Sequence, residues 1–457
     1  MKRIVPRIAA VSVAALCLHN RSRAFPKLRA TGAARRVLGI LVTTIGSIAL
    51  SAQPASAAVI FSKIADTTIT APGHGAFTDF GISPSVSGTN VAFQGVYGGG
   101  QGIYTGGVGA TGAAKVVDTG DTAPGHGAFT GFVNNPSLSG SKVGFVGNYS
   151  GGVGIYTGSV GATGAAKVVD IGDTAPGHGA FTTFNSPSVS GSNVVFRGTY
   201  SSGVGIYTGS VGATGVAKVV DTGDTAPGHG AFTQLVSPSV SGSNLAFLGV
   251  YSGGLGIYTG SVGATGAAKV VDTDDTAPGH GAFTNLYGGS ISGSNLAFLG
   301  IYIGGQGIYT GSVGATGAAK VVDTGDTAPG HGAFTGFDIS PSVSGSNVAF
   351  VGDYSGGSGL YLESGGSLLA VLETGDALFG STVSGFHRAG FAYDNNAIAF
   401  QYTLADGRSG VAVATVSVPE PASLALLCLT GVGLLRRRRP DRGVVSDSTI
   451  SPAKENC

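Results

Sequence analysis

Ala175-Pro176-Gly177-His178-Gly179-Ala180-Phe181-Thr182 opens the stretch that decides the fold. It continues through Ser186-Pro187-Ser188-Val189-Ser190-Gly191-Ser192-Asn193-Val194-Val195-Phe196 and closes on Lys218-Val219-Val220-Asp221. The apolar residues alternate or cluster in four short runs, at 186–190, 194–200, 205–208 and 218–221, as they do in half-buried and fully buried strands. Gly, Ser or Asn follows each run, and Ser190-Gly191-Ser192-Asn193 is a tight-turn signal because glycine and asparagine accept positive φ at little cost. Four strands are therefore predicted in this unit. No stretch between residues 58 and 417 shows a helical period. The 82 glycines also oppose one, since each costs about 1 kcal/mol in a helix relative to alanine.

Working outward, the opening octapeptide occurs six times, with histidines at His74, His126, His178, His229, His280 and His331, spaced by 52, 52, 51, 51 and 51 residues. Periods of that size belong to solenoids, propellers and arrays, and roughly 50 residues make one four-stranded blade. The second-strand motif ending in an aromatic occurs seven times, from 91–93 to 398–400. The fourth-strand motif also occurs seven times, but its first copy, 61–66, precedes any complete unit, and the last unit stops after its third strand, 410–416. These complementary ends predict an all-β, seven-bladed β-propeller of four-stranded repeats of about 51 residues, closed by pairing the N-terminal strand with the last blade. An extended β repeat array is the alternative.

Gly-Asp-Thr-Ala-Pro-Gly, Ala-Phe-Thr, Pro-Ser-Val-Ser-Gly-Ser-Asn-Val-Ala-Phe and Gly-Ile-Tyr succeed one another in these units. They resemble the NxxGxxAF tandem repeats of bacterial surface proteins, with Ser where the family has Asn, as at Ser188 and Ser239. The resemblance implies an exported, propeller-like body.

Both ends of the chain carry targeting patterns. Residues 1–36 hold nine basic and no acidic side chains, 37–50 are apolar, and Pro54-Ala55-Ser56-Ala57 precedes Ala58. This is the pattern of a secretory signal peptide with a long basic n-region, and cleavage is expected between Ala57 and Ala58. At the other end stand Pro419-Glu420-Pro421, fourteen mostly apolar residues at 422–435, and Arg436, Arg437, Arg438 and Arg439. Fourteen residues fall short of the roughly 20 that span a bilayer, and the arginines favour a cytoplasmic face, so brief inner-membrane retention is expected. The three parts resemble the PEP-CTERM signal, which implies recognition and cleavage by a membrane-embedded exosortase. The chain thus divides into 1–57, 58–417, 418–439 and a polar tail at 440–457.

Without these ends the body keeps ten basic and twenty acidic residues, a formal charge of about −10, although the whole chain is near neutral. That balance argues against nucleic acid and anionic membrane surfaces as partners of the body and suits cations or a hydrated matrix. Cys17, Cys428 and Cys457 all lie outside 58–417, so the body has no disulfide, thiol nucleophile or cysteine metal site.

Candidate sites are repeated rather than singular. Asp118 and Asp121, Asp170 and Asp173, Asp221 and Asp224, Asp272 and Asp275, and Asp323 and Asp326 form Asp-x-x-Asp turns, with Glu373 and Asp376 analogous and Ile69 in place of the second aspartate of the first copy. Such loops are Ca2+ candidates. Two carboxylates fall short of the six to eight oxygens Ca2+ takes, so an aspartate capping its own turn is the plainer reading. The Gly-His-Gly histidines read as connector residues before metal ligands, and Tyr104, Tyr156, Tyr207, Tyr258 and Tyr309 as packing residues. An active site joins different groups once, whereas these recur. The expected function is a non-catalytic exported surface or extracellular-matrix protein, its repeats giving multivalent weak contacts, with polysaccharide as the expected partner and no cofactor required. The alternatives are a glycan lyase or hydrolase using the divergent segment 363–408, with His387, Arg388, Asp394 and Asp406, or a calcium-dependent adhesin.

Overall fold

β-Branched and aromatic residues set between glycine-rich turns make each run of the repeat a strand. In the unit after His178 the strands are Phe181–Ser190, Asn193–Tyr200, Gly203–Ser210 and Ala213–Asp221, paired antiparallel in that order. Each extends beyond its apolar run, and the first reaches back to Phe181. The middle hairpin keeps an unbroken register, with Phe196 opposite Tyr207 and Gly198 opposite Gly205.

The computed structural model describes residues 58–81 and 83–417 and contains seven such sheets, with no helix among the described residues. Together they form a seven-bladed β-propeller, as the repeat count predicts. In blades 1 and 6 the first strand is broken into Phe77–Phe80 and Ser85–Ser87, and into Phe334–Phe337 and Ser342–Ser344, whereas blade 2 runs whole over Phe129–Ser139. First strands lie innermost: the Ser-Pro-Ser segments of blades 1 and 3 share one cavity of about 350 Å³ with Asn135, Pro238 and Phe391. The seventh sheet is completed from the other end of the body. Ala58–Asp66 pairs antiparallel with Ser409–Ser417, Ala58 opposite Ser417 and Asp66 opposite Gly410.

The core lies between sheets, in seven clusters that fill the seven interfaces. One packs Ile155, Val168 and Val169 of blade 2 against Phe181, Phe196 and Tyr207 of blade 3, and another packs Val411 and Val413 of blade 7 against Phe77 and Phe93 of blade 1. Phe181 meets the Tyr207 ring edge-on at 5.0 Å. A Cβ on residue 198 would lie 2.6 Å from the Phe181 ring, so the glycine there is a close-approach site.

Serines stitch neighbouring blades together. Ser137 Oγ accepts from Val189 N at 2.9 Å and Ser188 Oγ from Val240 N at 3.1 Å. A second serine repeats the contact at the turn, Ser139 Oγ accepting from Gly191 N and Ser190 Oγ from Gly242 N. At the closing interface a carboxylate takes the serine's place: Asp394 Oδ2 accepts from Gly88 N at 2.8 Å.

Candidate functional site

All fourth strands end on one face, where the connector carrying the histidine leads into the next blade. We call it the connector face and the opposite one the turn face. The connector is held tightly by its own backbone: Ala175 N donates to Gly179 O and His178 N to Ala175 O.

This local geometry sets His178 flat on Tyr200, centroids 3.9 Å apart, with its Nε2 2.8 Å from Asp221 Oδ2. Lys218 Nζ lies 3.1 Å from the same Asp221 oxygen and 3.1 Å from Asp224 Oδ2. Asp221 Oδ1 accepts from Gly223 N, and Asp224 Oδ2 accepts from Asp221 N, both at 2.8 Å. Burial of Asp221 would raise its pKa, but hydrogen bonds from His178, Gly223 N and Lys218 outweigh that and hold the carboxyl below its ordinary value. Lys218 is affected conversely: burial is outweighed by its two aspartates, and its pKa is raised.

The same set is built on His74 and Asp118, His126 and Asp170, His229 and Asp272, and His280 and Asp323, all at 2.9 Å. In blade 6 Glu373 stands in for the first aspartate. Its longer side chain reaches both His331, at 3.0 Å, and the Tyr361 hydroxyl, at 2.9 Å. The hydroxyls of Tyr104, Tyr156, Tyr207, Tyr258 and Tyr309 are buried beside the shorter aspartates with no partner, and burial pushes their pKa values up.

The candidate residues thus come together within each blade, with their oxygens engaged by protein donors. The oxygens of Asp118, Asp170, Asp221 and Asp323 already accept from histidine, lysine and backbone N–H, while Asp121, Asp173, Asp224 and Asp326 share the lysine. Each first aspartate caps its turn. Blade 4 adds Asp274 where blades 1, 2, 3, 5 and 6 have glycine, bringing one ligand atom each of His229, Asp272 and Asp274 within 4.8 Å of one another. The two ring nitrogens serve different carboxylates, Nε2 facing Asp272 at 2.9 Å and Nδ1 facing Asp274 at 4.0 Å. Lys269 occupies the remaining approach to Asp272, at 3.2 Å.

Lys115, Lys167, Lys218, Lys269 and Lys320 were not singled out by the sequence reading, for a geometric reason. Residues three apart in a regular strand point to opposite faces. A bulge shifts the register between the Tyr207–Lys218 and Ile206–Val220 pairs, and this brings Lys218 round to Asp221.

Of the divergent segment, Asp394 closes the ring and Asp406 pairs with Arg408 at 2.7 Å, while Arg408 also donates to Phe379 O. Ala57, Pro419, Glu420, Pro421 and Arg436, Arg437, Arg438 and Arg439 lie outside the described residues. No helix among the described residues is long and apolar enough to cross a membrane.

The model of a family of unknown function, DUF7453, matches residues 153–425, and that of the PEP-CTERM protein-sorting motif matches 417–439. No curated protein matches the chain. Among solved structures, the β-propeller domain of the Trilobed protease from Pyrococcus furiosus aligns with TM-score 0.49 at 10% identity, covering 76% of this chain and 100% of its own. An acylaminoacyl peptidase from Pyrococcus horikoshii aligns at 0.47 and 11%, covering 77% and 54%. The polysaccharide lyase Uly1 aligns at 0.46 and 11%, covering 80% and 99%.

Proposed function

We propose, for a chain that belongs to the DUF7453 family of unknown function and carries a PEP-CTERM sorting motif, the role of a non-catalytic scaffold in the extracellular matrix or at the cell surface. The motif marks an exported protein that an exosortase-type enzyme sorts. The scaffold reading rests on one observation: the charged groups of the connector face recur as five near-identical His–Asp–Lys sets whose members pair with one another. Of the divergent segment, two charged residues, Asp394 and Arg408, serve the closure of the ring, which supports this reading.

Near-identical units displayed around a rigid ring suit a repeating ligand, since weak contacts multiply when several engage at once. A hydrated, weakly charged exopolysaccharide is such a ligand. Purified protein covering residues 58–417 should co-sediment with the producing cell's exopolysaccharide. Retention should fall steeply when the polymer is cut into short oligosaccharides. Binding to no matrix polymer, or turnover of the polymer that His387→Ala and Asp394→Asn abolish while the fold is kept, would contradict the proposal.

A further inference from the structure

The two faces of the propeller differ in charge, and both ends of the body leave from the same one. Ser417 ends the third strand of blade 7 on the turn face, paired with Ala58; Ala58 N donates to Ser417 Oγ at 3.3 Å, and that hydroxyl donates to Ala58 O at 3.2 Å. The cleavage site before Ala58 and the sorting motif after Ser417 therefore depart side by side.

The chain between this point and the apolar segments is short. Four residues lie between Ser417 and Ala422 and seven between Leu50 and Ala58, which makes five and eight residue steps. Fully extended, they span at most about 18 Å and about 28 Å. The faces themselves lie about 26 Å apart, the length of the eight-residue middle strands.

Charge favours one way round. Among the described residues the turn face is built of Ser-Gly-Ser turns and Gly-Ala-Thr-Gly loops, and its charged side chains are Lys142, Glu363 and Asp394. The connector face carries the aspartate pairs of the blades, two acids to each lysine. An anionic membrane surface repels that face and tolerates the neutral one.

We infer that, while its sorting tail is attached, the propeller stands with its turn face against the bilayer and its acidic connector face directed away. This rests on the tail acting as a membrane tether before sorting. The surface to which the matrix has access in that state is the His–Asp–Lys face, and the turn face becomes accessible on tail removal.

The test uses the full chain with Cys17→Ser, Cys428→Ser and Cys457→Ser, reconstituted into phosphatidylethanolamine–phosphatidylglycerol vesicles bearing a headgroup energy acceptor. A single donor is placed through Thr111→Cys on the turn face or Gly127→Cys on the connector face. Thr111 is exposed, and a side chain on residue 127 meets nothing within 4 Å. The expected result is at least about twofold stronger energy transfer from residue 111, given the ~26 Å between faces, with both signals lost in the body alone, residues 58–417. Equal transfer from the two positions, or stronger transfer from residue 127, overturns the orientation with the tether intact. Failure of the full chain to float with the vesicles removes the tether and the orientation together.

Discussion

Asp221 is the residue on which most of the connector face turns, because one buried carboxylate holds a histidine, a lysine and a backbone N–H at once. Asp221→Ala leaves Lys218 and Gly223 N short of a partner and should cost about 2–4 kcal/mol at neutral pH, read as a fall in melting temperature. The pH dependence has a definite sign. Since hydrogen bonds hold this carboxyl below its ordinary value, its contribution is fully present above the unfolded value near 4 and is lost as pH falls through the folded one. The difference between wild type and Asp221→Asn should be flat around neutrality and shrink below about pH 4. Gly198 makes a second prediction at this scale. Gly198→Ala drives a methyl into the Phe181 ring and should cost about 1–3 kcal/mol by chemical denaturation, although alanine favours strand and helix backbones over glycine.

At the level of the strand, period-2 patterning and turn chemistry made the four strands of each unit legible, while the partners of their polar residues were not. Ser188 lies inside a predicted strand run and nothing local marks it or Ser137 as a partner; in the fold each accepts a backbone N–H from the following blade, a contact about fifty residues distant that no local pattern encodes. The lysine-aspartate pairing was hidden for another reason, because a bulge overrides the alternation from which facing is inferred. The histidine was placed correctly in its connector, but its stack on Tyr200 joins segments whose spacing carries no recognisable signature. Ser188→Ala should leave the Val240 N–H without its acceptor and cost about 1–3 kcal/mol, seen as faster hydrogen exchange along the inner strand of blade 4. Unchanged exchange there would mean that the serine ladder is incidental to the packing between blades.

For the whole molecule, the offset between an extra fourth strand at the start and a missing one at the end was the most informative feature of the sequence, and the pairing of Ala58–Asp66 with Ser409–Ser417 is its structural counterpart. Phe61 sits in that pairing, edge-on to Phe400 at 6.2 Å. Phe61→Asp should open the seventh blade, giving an early unfolding transition and protease sensitivity near both ends of the body, because an unpaired charge is placed against the apolar cluster between blades 6 and 7. The central claim is that this closed ring is exported and cut free of its sorting tail. Intact mass of the protein recovered from the cell-surface and medium fractions tests it most directly. The account predicts a species running from Ala58 to about Pro419, with both targeting segments gone. A recovered mass that retains Arg436 to Cys457 would contradict release, and would make the tail a permanent anchor.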